Sequence, residues 1–136
     1  MIVVDTNLIG YLYLENSSSL LAEQALLKDP EWAAPILWRS EFRNVLALYL
    51  RKHWLSLDES REIMSEALQL MADQEYEVDS EEVLRLVMQS TCSAYDCEFV
   101  ALARELGTSL VTVDKQILKE FPQLAISLVA FVSNPA

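Results

Sequence analysis

Glycine is nearly missing from this 136-residue chain, with two copies, and proline occurs only four times. So little turn chemistry favours many helices and few tight hairpins, which disfavours an all-β barrel or sandwich. Cysteine is limited to Cys92 and Cys97, and His53 is the sole histidine. A zinc site needs about four such ligands, so two free, largely buried thiols in a reducing cytosol are the plainer expectation. Positive charge is short as well: ten Lys and Arg face twenty-one Asp and Glu, a formal net charge of −11. That balance argues against gripping nucleic acid by bulk charge, but not against reaching a phosphate through a bound metal. Long apolar runs are also missing. The longest, around Leu124 to Val132, is far short of the roughly 18 residues a membrane helix needs. At the other end Ile2-Val3-Val4 meets Asp5 at once, which excludes the apolar heart of a signal peptide.

What is present is a core. Hydrophobic residues make up 52% of the chain, and without internal repeats, low-complexity tracts or linkers it reads as one domain over 1–136. Ile2-Val3-Val4 and Leu110-Val111-Thr112-Val113 are continuous apolar runs that suit strands covered on both faces. Trp32-Ala33-Ala34, Tyr76-Glu77-Val78 and Leu128 to Val132 are further strand candidates. Helical patterns lie between them: Asn7 to Tyr13, Leu20 to Lys28, Leu37 to Lys52, Ser56 towards Ala72, Asp79 to about Gln89, Ala94 to Leu106, and Lys115 to Phe121. Ser56-Leu57-Asp58-Glu59 has the form of a capping box, Asp79 to Glu82 is a second capping signal, and Gly107 suits a left-handed stop. Strands alternating with helices predict an α/β fold of three layers, with a parallel sheet of four to five strands. Ligands of such folds sit beyond the carboxyl ends of the strands.

Two acids fall at those ends, Asp5 after the first strand and Asp114 after the Leu110 run, although an Asp there also commonly caps the next helix. Two others lie on apolar helix stripes. Steps of three and four from Trp38 reach Glu41, Phe42, Val45 and Tyr49, while Asp96 precedes Phe99, Val100 and Ala103 by three, four and seven residues. Glu98 and Glu105 fall off that stripe and read as solvated acids. A buried carboxylate needs a partner, a proton or a metal. Arg39, Arg43 or Arg104 can supply a salt bridge, though each lies on another face of its own helix. Oxygen-only ligands around a pocket of negative charge point instead to Mg²⁺ or Mn²⁺. Thr6, Asn7 and Thr112 stand close in sequence to the strand-end acids and can orient carboxylates or water, while Thr112 also suits a plain strand residue. His53, next to Arg51-Lys52, reads as stabilising a helix terminus.

Val3-Val4-Asp5-Thr6-Asn7, Glu41 in a helix reaching Asn44-Val45-Leu46, Tyr95-Asp96 leading into Phe99-Val100-Ala101-Leu102-Ala103, and Leu110-Val111-Thr112-Val113-Asp114 together resemble the PIN-domain nucleases, in particular VapC-type toxins of toxin–antitoxin pairs. The resemblance spans essentially the whole chain. It implies a parallel sheet flanked by helices, with Asp5, Glu41, Asp96 and Asp114 as catalytic, metal-binding carboxylates supported by Thr6, Asn7 and Thr112. It further implies a metal-dependent endoribonuclease that cuts RNA to a 5′-phosphate and a 3′-hydroxyl, with a cognate antitoxin as partner. Some members carry another acid three residues beyond the position of Asp114; here that place is Ile117, which puts a second metal in doubt.

Charge is unevenly spread. Asp58 to Glu82 holds ten acids and one base, Arg61, whereas Pro35 to Leu55 holds Arg39, Arg43, Arg51 and Lys52 against Glu41 alone. Arg39, Arg43 and Lys115 are therefore candidates for RNA-backbone contacts, or simply a solvated face. Leu8, Ile9, Tyr11, Leu12, Tyr13 and Leu14 are more apolar than one covered helix needs. That suits an antitoxin or homodimer surface, and burial on two sides suits the pattern equally. Two other classes compete with the nuclease. One is a catalytically inactive PIN-like module that only binds protein or RNA. The other is a phosphatase-like hydrolase, for which Asp5-Thr6-Asn7 lacks the second Asp.

Overall fold

The computed structural model describes residues 1–135, and its core is a five-stranded parallel sheet in the order β3-β2-β1-β4-β5. The strands are β1 (Ile2–Val4), β2 (Trp32–Pro35), β3 (Glu75–Tyr76), β4 (Leu110–Thr112) and β5 (Ala125–Ser127). Val3 and Val4 point to opposite faces of the central strand, yet both are fully buried, so helices cover both faces. This is the three-layered α/β arrangement expected from the alternating pattern.

Among the described residues eight helices connect and cover the strands: α1 (Thr6–Tyr13), α2 (Ser19–Lys28), α3 (Leu37–Arg51), α4 (Leu57–Leu70), α5 (Ser80–Met88), α6 (Ala94–Leu106), α7 (Lys115–Glu120) and α8 (Leu128–Ser133). None is long and apolar enough to cross a membrane. Their boundaries follow local chemistry. Ser56 and Glu59 form the reciprocal capping box that opens α4, and Gly107, at φ +65°, closes α6 in the left-handed conformation that glycine adopts without strain. At the second capping signal Asp79 accepts from the Glu81 backbone, while Glu82 turns instead to Arg104. His53 ends α3 through its backbone, at φ +58° and with its N–H on the Leu50 carbonyl.

One expected strand is a helix. Leu128 to Val132 forms most of α8, and the last strand lies just before it, where Ala125, Ile126 and Ser127 pair with Leu110, Val111 and Thr112. The Ser127 hydroxyl accepts the Ala130 N–H and so starts a helix inside the apolar run. The weak Tyr76-Glu77-Val78 strand also shifts, to Glu75–Tyr76.

Helix α6 packs across β1, β2 and β4 with α5 against it, and α1 packs on α2, α3 and α4. The latter arrangement accounts for the excess of apolar residues in α1. Leu8 and Ile9 are fully buried, Leu14 is nearly so, and Tyr11, Leu12 and Tyr13 are half-buried. Both cysteines are free and buried, and burial pushes the Cys92 thiol up to about 11.

Candidate active site

The chain leaves β1 towards β2 on one side and returns through β4 on the other, so the crevice between β1 and β4 is the switch point of the sheet. Asp5 and Asp114 occupy it. Each caps the helix after its strand, Asp5 by accepting the Leu8 N–H at 3.3 Å and Asp114 by accepting the Ile117 N–H at 2.9 Å. The second oxygen of Asp5 accepts from the Thr112 hydroxyl and from the Val113 N–H at 3.1 Å. Val113, expected in the strand, lies beyond β4 with its N–H on the carboxylate.

Glu41 and Asp96 approach the same place from α3 and α6. One cavity of about 280 Å³ is lined by Asp5, Glu41, Asp96 and Asp114, with Thr6, Asn7 and Asn44 as neutral polar neighbours and Phe99 and Ile117 among its apolar walls. Thr6 donates its hydroxyl to Glu41 at 2.6 Å, a link across 35 residues of chain. Ser93 accepts the Asp96 N–H at 3.1 Å and starts α6 there. The loop before it is tied to α7: Thr91 donates to Glu120 at 2.5 Å and receives the Gln116 amide at 2.8 Å. Those bonds join the element carrying Asp96 to the one that Asp114 caps.

Among the described residues no ion pair involves any of the four acids. The salt-bridge alternative fails for a structural reason. Arg39 pairs with Glu75 through two bonds at 2.5 and 2.6 Å, Arg104 pairs with Glu82, and the Arg43 guanidinium donates to the Arg39 carbonyl. Burial raises the Asp5 carboxyl above its ordinary range, against the pull of its hydrogen bonds. Glu41 is raised first by burial and then by the charges of Asp96, Asp5 and Glu98, and Asp96 by burial and then by Asp114. Uncompensated like charge is thus a property of this cavity.

Oxygen donors without a counter-cation suit a hard divalent ion, and on that ground Mg²⁺ or Mn²⁺ fits the residues present. As they stand, no three acidic, histidine or cysteine side chains among the described residues form a ready-made metal cluster, so the acids line one cavity without closing on one point. Arg43 and Lys115 are exposed, near Glu41 and Asp114 in sequence, whereas Arg39 is committed to Glu75. Asn44 belongs to the cavity wall, although its helix position alone gives no sign of it. Glu98, expected on the wet face, is half-buried and raised by burial. It lines a larger, mainly apolar groove of about 720 Å³ with Ile36, Tyr76, Val83 and Leu84.

The acidic cavity thus lies at the switch point of a parallel sheet, where the fold places it. The PIN domain model matches residues 2–124, and the chain belongs to that family. It is 29% identical over 126 residues to Ribonuclease VapC3 from Pyrobaculum aerophilum, covering 90% of this chain and 96% of that protein. The fold is shared with the crystal structure of PAE2754 from Pyrobaculum aerophilum (TM-score 0.71, 20% identity, 96% of this chain and 92% of that one). It is shared also with a toxin–antitoxin complex from Klebsiella pneumoniae (TM-score 0.67, 17% identity, 94% and 98%).

Proposed function

We propose that this chain is a divalent-metal-dependent endoribonuclease and the toxin of a toxin–antitoxin pair. The observation that carries the reading is four carboxylates lining one cavity with no cation among the described residues paired to any of them. The likeness to Ribonuclease VapC3 supports RNA as substrate, and the fold shared with a toxin–antitoxin complex supports an antitoxin partner. A homodimer and cytoplasmic residence belong to the same reading. The exposed Ile36 and Leu84 beside the large groove favour the first, and the free buried thiols favour the second.

Asp5, Glu41, Asp96 and Asp114 are the residues that would hold Mg²⁺ or Mn²⁺. Bound there, such an ion would supply positive charge for a phosphodiester among the acids, activation of water and stabilisation of a leaving oxygen. The protein's own part is orientation. Thr112 and the Val113 N–H fix one oxygen of Asp5 while the Leu8 N–H holds the other. Thr6 fixes Glu41, and Ser93 fixes the turn that presents Asp96. Burial and neighbouring negative charge raise Glu41 and Asp96, so a bound cation would relieve both carboxylates. Asn7 and Asn44 offer neutral donors on the cavity wall, where a positive side chain would pair with the acids. Arg43 and Lys115 are candidates for contacts to the RNA backbone.

Incubation of RNA with the purified protein tests this. Cleavage with Mg²⁺ or Mn²⁺ is expected, abolished by EDTA and by Asp96→Asn. Cutting that persists in both controls would assign the activity to a contaminant. Absence of divalent binding by calorimetry, in the native chain and in Asp5→Asn alike, would favour the inactive binding module.

A further inference from the structure

The acidic cavity does not end at the acids. Thr6, Asn7 and Val45 also line a second cavity of about 190 Å³ between α1 and α3, whose other walls include Gly10, Tyr11 and Tyr49. No acidic or basic side chain lines it. Drug-sized ligands fill about 300–1,000 Å³, so this cleft is scaled to a single ring system rather than to a peptide helix.

Gly10 gives the second observation. It sits inside α1, where glycine is less favourable than alanine, and its φ lies outside the left-handed region. The core does not require it either, since a Cβ there would meet only Phe42 Cε1 at 3.9 Å, an ordinary contact. Gly10 is at the same time one of the residues that line the cleft.

Aromatic rings lead outwards from that space. Tyr49 meets Trp54 edge to face with ring centroids 5.3 Å apart, and Lys52 Nζ stands 4.5 Å from the Trp54 centroid. Trp54 is 60% exposed, while Trp32 and Trp38 are buried. An uncharged cleft with tyrosine walls, followed by an exposed indole that carries a cation over its ring, is the composition of a track for single-stranded nucleic acid. Rings stack on bases there, and a cation meets the phosphates. A phosphate would be repelled from the cleft itself by the neighbouring carboxylates, whereas a neutral base would not.

We infer that this cleft binds one unpaired nucleobase of the RNA strand next to the scissile phosphate, with Tyr49 as its wall and Trp54 and Lys52 carrying the strand beyond. The inference rests on the ribonuclease reading and adds to it the part of the substrate that sets sequence preference.

Gly10→Ala is the informative variant, because it adds a methyl group to a residue that lines the cleft, meets Phe42 only at an ordinary contact distance and favours the helix. Two measurements are made. In the first, cleavage of a random-sequence RNA pool is mapped with Mn²⁺ and compared with hydrolysis of an oligoribonucleotide made abasic beside the cut, a diester without a base. Gly10→Ala is expected to lower the ratio of RNA cleavage to diester hydrolysis about tenfold and to flatten the nucleotide preference beside the cut. In the second, short single-stranded oligoribonucleotides are titrated into an Asp96→Asn protein, in which they are not cut, and saturable quenching of Trp54 fluorescence is expected. An unchanged ratio and cut pattern in Gly10→Ala would overturn the proposal, and so would an unresponsive Trp54; the cleft would then serve a protein segment. Failure of both hydrolyses in the native chain, with the Trp54 response intact, would remove the nuclease reading and leave the base cleft standing.

Discussion

The Thr112 hydroxyl donates to the Asp5 carboxylate and accepts the backbone N–H of Asp114 at 3.0 Å, so one buried side chain positions both strand-end acids. Asp5 thereby spends one lone pair on a group that cannot move, because Thr112 lies in β4, paired to β5. Removal of the hydroxyl should leave Asp5 buried with less support and raise its carboxyl further.

Thr112→Val is nearly the same size and keeps the strand, so the fold should survive. Loss of an orienting hydrogen bond behind a metal ligand typically costs about 10–100-fold in affinity or activity. A loss in that range is expected for Mn²⁺-dependent RNA cleavage, with recovery in Thr112→Ser, which keeps the hydroxyl. Calorimetric Mn²⁺ titration of the three proteins checks the same point without turnover. Equal activity in Thr112→Val would show that Asp5 is held well enough by the Val113 and Leu8 N–H groups.

Electrostatic strain in the cavity predicts an unusual pH dependence. Asp96 is raised in the folded chain, so above the ordinary range near 3.8 the folded state binds more protons than the unfolded one. Its contribution to stability therefore falls as pH rises through that range and stays lowered at neutral pH. Asp96→Asn removes the charge that faces Asp114. In EDTA at pH 7 the variant should be modestly more stable, since Asp96 is only half-buried and solvent screens its charge. The gain should vanish below about pH 4. Comparison with the native chain at each pH cancels the opposite trend from Glu75, which Arg39 holds below its ordinary range. Mg²⁺ should raise the melting temperature of the native chain more than that of the variant. A less stable Asp96→Asn in EDTA would contradict the strain.

Local chemistry made most of the fold legible. Helix ends with a chemical stop, such as the Ser56 capping box and Gly107, fall within a residue or two of where the pattern places them. The apolar run from Leu124 to Val132 does not separate strand from helix, because neither period dominates it. Pairing of Ala125 to Ser127 with β4 and the single hydroxyl of Ser127 decide the matter, and the pairing is non-local. The four acids stood out because carboxylates on apolar stripes and at strand ends are costly. Their supports were harder to see. Thr6 meets Glu41 across 35 residues, and Asn44 reaches the cavity only through the way α3 lies on α1. Glu98 becomes half-buried through the packing of α6, which periodicity within α6 does not reveal.

Arg39 and Arg43 looked alike in the sequence and differ in the fold. Both are on α3 near Glu41, but Arg39 reaches across 36 residues to Glu75, whose side chain is 13% exposed and also accepts the indole N–H of the buried Trp38. Arg39→Ala would strand that carboxylate beside the core, at a cost of about 1–3 kcal/mol, while RNA affinity should change little. Arg43 is exposed and donates only to a backbone carbonyl, so Arg43→Ala should alter stability by less than about 0.5 kcal/mol. If its guanidinium meets a phosphate, the variant should bind RNA more weakly on every sequence and reduce the slope of log affinity against log salt by about one. Thermal melts and salt-dependent RNA binding by fluorescence anisotropy separate the two arginines. The reverse outcome, a stable Arg39→Ala with weakened RNA binding, would mean that the Glu75 pair opens when RNA arrives.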